Sequence, residues 1–489
     1  MRARTLVLPL VAGIFAVTAA CDSETTMQPE PQNEASVLAS TGEDLMAQAM
    51  SSGDFTGNFI VSANSNFIRR NLAGLVSGMG GTILFQHEPT GFALIGGISG
   101  EAADQLASTN GVNLVEPETM VELESQIMAE ADAAVLSDGA ILNDNPAGAF
   151  FFARQWHLNA ISAPQVWESG QTGSADITVA ILDTGIDYTH LDLQGLVDLD
   201  RSVSFLPQDD AFVQQFFPGA HPIADLNFHG THVAATVSSN ALAAAGVTSK
   251  TTLVGVKVCN VEGRCPTGAV LAGMLYAADA GADVINMSLG GLFLKSANPG
   301  FVSLINNVAN YVRQQGALLT IAAGNSAVDL NRNLIPQEDG SDFRAPSLFA
   351  SYCNATGVFC VSATGPEAAG GINGPWLNVD AVAPYTNFGS AVNAAAPGGA
   401  AAPVWAACSR FSLQIPQCQT GFFVIGVSGT SMAAPHAAGV AALIKANNPG
   451  FNSAQLGRAL ERSADRIDGN GRSPFYGQGR INAARAVGL

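Results

Sequence analysis

Ile177-Thr-Val-Ala-Ile-Leu-Asp-Thr-Gly185 is a short apolar run, rich in β-branched residues, that ends on a carboxylate and a glycine. A strand apolar at consecutive positions has both faces covered, as in the middle of a parallel sheet. The chain beyond it keeps that character. "TTLVGVKVC" (251–259), "ADVINMSLGG" (282–291) and "ALLTIAAGN" (317–325) read as further strands. "HGTHVAATVSSNA" (229–241), "GAVLAGMLYAADAG" (268–281), "FVSLINNVANYVRQQ" (301–315) and "TSMAAPHAAGVAALIKANN" (430–448) read as helices. Buried strands joined by helices imply an α/β fold, a doubly wound and mostly parallel sheet over residues 143–489. Functional residues then belong at the carboxyl ends of the strands.

Three residues fall at such places. Asp183 ends its strand, His229 opens a helix beside Gly230, and Ser431 opens another after Gly429-Thr430. Singly they read as a turn aspartate, a surface histidine and a helix N-cap. Together they are the set that nucleophilic hydrolysis needs. A serine hydroxyl requires an imidazole to take its proton, and a buried carboxylate to orient and stabilise that imidazole. At a helix start, the Ser431 N–H and the helix dipole can face a developing oxyanion.

The segments "ILDTGID", "HGTHVAATV" and "GTSMAAPH", in that order, resemble the three signature segments of subtilisin-like serine proteases. The second departs from the family by carrying Ala235 where Gly is usual. The resemblance implies a serine endopeptidase with Asp183, His229 and Ser431 as catalytic residues. It places the side-chain oxyanion donor on Asn325 of "TIAAGN", and main-chain pairing with substrate on Ser288, Leu289 and Gly290. His232, one turn after His229, reads as a packed, hydrogen-bonded residue. The implied partners are protein or peptide substrates, and no cofactor is required for the chemistry. A structural calcium is implied at Asp192 of "HLDL" and at Asp144 of "NDNP". The loop Ser239–Gly246, which should complete the site, is short and lacks the Asn-rich pattern of relatives. Two rival readings share the motifs: an acyl-transferring relative, and a non-catalytic binding protein of the same fold.

Upstream, residues 57–121 alternate as βαββαβ, the order of a small split-βαβ sandwich. Ahead of such a domain it resembles the inhibitory propeptide of the family. Residues 122–142, acidic and Ala-rich, read as a processing linker or an ordinary helix, and cleavage is expected within Glu122–Leu142. Residues 1–20 have a basic start (Arg2, Arg4), a short apolar stretch and small residues, the pattern of an export signal. Cys21 follows directly and is a lipidation candidate, giving a protein either freely secreted or lipid-anchored to a bacterial membrane. Residues 21–56 read as a flexible tether.

The chain has 489 residues, 47% of them hydrophobic, enough for two folded units. A net charge of −19 argues against nucleic acid or anionic membrane as a partner. The expected species is a monomer. Of seven cysteines, all but Cys21 fall in near-neighbour couples, Cys259/Cys265, Cys353/Cys360 and Cys408/Cys418. In an exported protein, local disulfides are their simplest pairing, with reduced thiols the alternative. Two segments, Phe205–Asp225 and Ala402–Phe423, are longer than a minimal relative needs and could border the cleft.

Overall fold

The computed structural model describes residues 55–123, 126–133, 145–294, 298–331, 334–336, 341–344, 348–350, 352–469 and 471–489. The export signal, Cys21, most of the tether and Asp144 lie outside the described residues.

The first module runs β1 (Asn58–Ala63), a helical stretch α1 from Ser65 to Gly78, β2 (Thr82–His87), β3 (Phe92–Gly96), α2 (Gly100–Ala107) and β4 (Val112–Pro117). Its strands are antiparallel in the order β2-β3-β1-β4. Alternate residues of β1 serve different layers, as strand geometry demands. Phe59 and Val61 join Leu72, Ile95 and Leu106 in the module's own core, whereas Ile60 packs with Phe92 and Leu94 against the larger domain.

Past the module, the chain forms β5 (Met120–Glu122) and β6 (Gln126–Ala133). Where the acidic, Ala-rich composition left a linker or an ordinary helix open, residues 126–133 form the strand β6. The edge of another strand is open to it, and pairing satisfies its backbone there.

The larger domain continues with β7 (Thr178–Asp183), β8 (Val203–Ser204), α3 (Pro207–Phe216), α4 (His229–Val237), β9 (Thr252–Lys257), β10 (Arg264–Pro266) and α5 (Thr267–Asp279). Then come β11 (Val284–Met287), α6 (Pro299–Gln314), β12 (Leu318–Ala322), β13 (Phe359–Gly365), β14 (Ala381–Val382), β15 (Val392–Pro397), β16 (Val404–Ala407), β17 (Phe423–Ser428) and α7 (Thr430–Asn447). The main sheet has the order β14-β13-β12-β11-β7-β9-β8, with β15 also beside β13. Its pairs are parallel except β14 with β13.

β7 shows why the opening run is apolar throughout. Val179 and Ile181 enter the core shared with α4 and α7, while Ala180 and Leu182 enter the core shared with α5 and α6. α7 packs closely on the segment that follows α4 because its residue there has no side chain. A Cβ at Gly439 of α7 would lie 2.6 Å from a Val247 side-chain atom, and Ala235 is itself buried in this core.

The module is fastened to the larger domain by Glu118, which is buried. Its carboxylate accepts from Thr56 Oγ1 at 2.6 Å and Asn58 Nδ2 at 2.8 Å, and from Ala269 N–H in the first turn of α5 at 3.2 Å. A carboxylate there satisfies an unpaired helix N–H and complements the positive helix end.

The three cysteine couples are bonded, Cys259–Cys265, Cys353–Cys360 and Cys408–Cys418. Among the described residues no helix is long and apolar enough to cross a membrane.

A group of buried histidines lies on and beside α4 and α7. His436 donates from Nδ1 to the Met432 carbonyl at 2.7 Å, so its Nε2 accepts from His157 Nδ1 at 2.8 Å. His232 donates to the Val404 carbonyl at 3.1 Å. Burial pulls His232 down to about 3 and His436 to about 4, and holds His157 well below the ordinary imidazole range. The unfolded chain takes up these protons below about pH 6.5, while the folded chain resists them. Their stabilisation is therefore complete above that pH and is lost as pH falls toward 4. The buried Asp225 carboxyl, raised to about 6, acts the other way as it gains its proton, so the check is a comparison. The melting temperature should drop more between pH 7 and pH 4.5 in wild type than in His436→Gln. Equal drops in the two proteins would remove these histidines from the account.

Candidate active site

Asp183, at the carboxyl end of β7, is fully buried. Its Oδ1 accepts from His229 Nδ1 at 2.7 Å and from the Thr184 N–H at 2.8 Å. With Nδ1 donating to the carboxylate, Nε2 is the basic nitrogen of His229. This closeness depends on Gly230. A Cβ there would lie 2.2 Å from the Gly185 carbonyl oxygen and 3.1 Å from Asp183 Cβ, so only glycine lets α4 start against the end of β7.

Ser431 sits in the first turn of α7, which packs directly on α4. Pro435, four residues on, has no N–H to give the Ser431 carbonyl. Ser288 supplies the missing donor, its Oγ bonding that carbonyl at 2.7 Å and accepting in turn from Asn286 Nδ2 at 2.9 Å. Ser431 Oγ donates to the Ser288 carbonyl at 3.0 Å. A reciprocal bridge thus ties the serine to the end of β11.

Asn325 follows β12. Its Oδ1 accepts from Thr430 N–H and from Thr430 Oγ1, both at 2.8 Å, and Thr430 Oγ1 accepts from Gly324 N–H at 3.0 Å. Holding Oδ1 this way fixes which way the amide NH2 points. Ser431, Asn325, Ser288, Leu289 and Gly290 line one cleft, together with Glu122 of β5. Ser288 and Leu289 are buried, so this wall offers mainly backbone to a ligand.

The sequence matches the Subtilase family over residues 174–479. The chain belongs to the subtilase family. Thermitase of Thermoactinomyces vulgaris is 31% identical over 352 residues, which is 70% of this chain and 99% of thermitase. A thermophilic serine proteinase of Bacillus sp. (strain AK1) is 31% identical over 64% of this chain, and the chain spans 62% of that protein's length. Among solved structures, fervidolysin from Fervidobacterium pennivorans, a keratinolytic enzyme related to subtilisin, superposes with a TM-score of 0.64 at 23% identity. That match covers 89% of this chain and 61% of fervidolysin. The epidermin leader peptide processing serine protease from Staphylococcus aureus gives a TM-score of 0.66 at 18% identity, over 88% of this chain and 98% of that one. At these identities the two structures speak for the fold.

The subtilase also uses residues that its motifs do not announce. Asp225, fully buried, accepts from Thr184 Oγ1 at 2.8 Å and Asn227 N–H at 3.0 Å through Oδ1, and from Thr231 N–H at 2.9 Å and Thr231 Oγ1 at 2.6 Å through Oδ2. Thr184 follows Asp183 and Thr231 lies two residues past His229. Asp225 therefore holds both members of the Asp–His pair from behind. The two long segments meet here. Val213, Ala224, Leu226 and Phe411 form one apolar cluster, Ser409 Oγ bonds the Asp225 carbonyl at 2.6 Å, and Ser412 Oγ bonds the Asn227 carbonyl. Lys257 and Asp209 form a buried ion pair that fixes α3 to the end of β9. These segments brace the approach to His229. The only advance sign of this was that both were long.

Asp192 corrects the expectation of a calcium ligand. Its carboxylate accepts from Leu242 N–H at 2.9 Å, Ala243 N–H at 2.8 Å and Ala244 N–H at 2.9 Å. The short loop Ser239–Gly246 turns donors, not carbonyls, toward this carboxylate. These residues do not fit a cation, whose ligands must be oxygens. Among the described residues no group of three or more His, Cys, Asp or Glu side chains is placed to hold a metal.

Two outcomes follow from these bonds. Asp225→Asn should lower kcat by about 10–100-fold with KM little changed, because misplacing a catalytic group by about 1 Å costs about two decades. Steady-state kinetics on a peptide anilide checks this. Asp192→Ala should lower the melting temperature, since each orphaned buried donor costs about 1–3 kcal/mol. Added calcium should not restore it, and restoration by calcium would reinstate the metal.

Proposed function

We propose that this subtilase is an exported serine endopeptidase made as a zymogen. Ser431 Oγ attacks the scissile carbonyl and its proton passes to His229 Nε2. Asp183 holds the imidazole and stabilises its charge. Asn325 and the Ser431 N–H take the oxyanion. His229 then gives its proton to the leaving amine, and water repeats the sequence to free the acid. The observation that carries this reading is the buried 2.7 Å bond between Asp183 and His229, on α4 beside the helix that presents Ser431.

The small module is the inhibitory propeptide in this reading. Its tail β5 lies antiparallel on β10, with Glu122 in the cleft beside Ser431, which is where a substrate strand would add. The substrates are unfolded proteins and peptides. Cys21 is the candidate lipid anchor.

Wild type and Ser431→Ala, each incubated with casein and followed by intact mass, test the proposal. Wild type should lose the module and degrade casein, while the variant stays full length and inert. If both are processed and cut casein, Ser431 is not the nucleophile. Asn325→Ala should cost about 2.7–4 kcal/mol of transition-state stabilisation, a magnitude measured in subtilisin itself.

A further inference from the structure

β5 and β6 are consecutive in the chain but pair with different strands, β5 with β10 and β6 with β17. β5 pairs with β10 through Met120–Pro266, Val121–Cys265 and Glu122–Arg264, and Leu123 N–H donates to the Gly263 carbonyl at 2.9 Å. From Gln126 onward the partner is β17. Gln126 faces Ser428, Ile127 faces Val427, Ala129 faces Gly426, Asp132 faces Val424 and Ala133 faces Phe423. β17 leads straight into Gly429-Thr430-Ser431. The chain therefore enters the cleft of Ser431 at Glu122 and next pairs with the strand that leads into Ser431, the order in which a bound substrate would run. If the module is released where the chain passes from one partner strand to the other, the cut lies between Leu123 and Gln126, inside the Glu122–Leu142 window expected from the sequence.

The departing strand has anchors of its own. Ala131 is buried in the core that contains Ala406, Phe423 and Ile425. Gln417 Nε2 donates to the Ala131 carbonyl at 3.4 Å. Asp132 pairs with Arg154 at 3.0 Å, and the Arg154 guanidinium lies 4.2 Å from the Phe151 ring centroid and 4.7 Å from that of Trp405. None of these contacts involves residues before Gln126, so hydrolysis upstream breaks none of them.

We propose that β6 stays docked on β17 after the cut and is a second, self-contained inhibitory segment covering the leaving-group side of the cleft. Losing the module opens the acyl side, where β5 lay. The other wall opens only when β6 peels away, and the edge it uncovers takes an extended peptide of several residues beyond the scissile bond. Activation then has two stages, and substrates that reach along β17 compete with β6 while short ones do not. The inference rests on the peptidase reading above.

Matured wild type, Asp132→Ala and Arg154→Ala would be assayed on two substrates, a peptide p-nitroanilide and an internally quenched peptide with six residues beyond the cut. Hydrogen exchange of residues 126–133 would be followed by mass spectrometry in parallel. The mature chain should begin between residues 124 and 126 with 126–133 protected. Both variants should lose that protection and lower KM for the long peptide by about fivefold, the size of a partly exposed ion pair, with the anilide little changed. A mature N-terminus at residue 134 or later, an unprotected strand in the mature wild type, or an equal effect on both substrates would overturn the proposal. Failure of the peptidase reading would look different, since wild type would then leave the anilide intact.

Discussion

Much of this molecule is arranged around one short contact, the bond from His229 to Asp183 at the buried end of β7. It needs a carboxylate kept out of water, so the strand carrying it must be covered on both faces. It needs a helix to begin almost in contact with that strand, so the second helical residue must be Gly230. It also needs the residues on either side of each partner held still, and Asp225 does this through Thr184 and Thr231. Burial raises Asp225 to about 6, against the pull of its hydrogen bonds. The structure therefore keeps a second costly carboxylate in the core to hold the first pair in register.

The serine is secured by different means. Pro435 takes a donor away from the ladder of α7, and the carbonyl left over is that of Ser431. Ser288 fills the gap, so a defect in one helix becomes a link to the neighbouring strand. Asn325 is oriented by Thr430, the residue just before the nucleophile candidate. Strand ends and helix start are bonded to each other through residues adjacent to those that would do the chemistry.

How much of this was legible in the sequence follows from the range of the interactions. β7, α4 and α7 declared themselves because a buried strand or helix is apolar along its own length. Asp183, His229 and Ser431 stood at strand ends and helix starts and were singled out only as a set, while Asn325 came from the resemblance of its segment to the family. Asp225 gave no such sign, because its partners lie 41 residues away at Thr184 and 6 away at Thr231, and an isolated Asp in a loop resembles any other. Asp192 was misread for the same reason. A carboxylate can meet a cation or a row of N–H groups, and only the path of the loop Ser239–Gly246 decides between them. The strand β6 was masked by its own composition, since alanine and glutamate favour helix until an open edge is offered.

From Thr430 to Ile444 every residue is buried, and most are alanine, glycine or other small side chains packed without slack. A helix held on all sides has no independent motion to give the residue at its tip. Ser431 therefore moves only as the interior moves, and a peptide that fits poorly must bend itself or shift the cleft walls. Warming the molecule cannot loosen this corner in advance of the rest, so loss of the site and loss of the fold should be a single event.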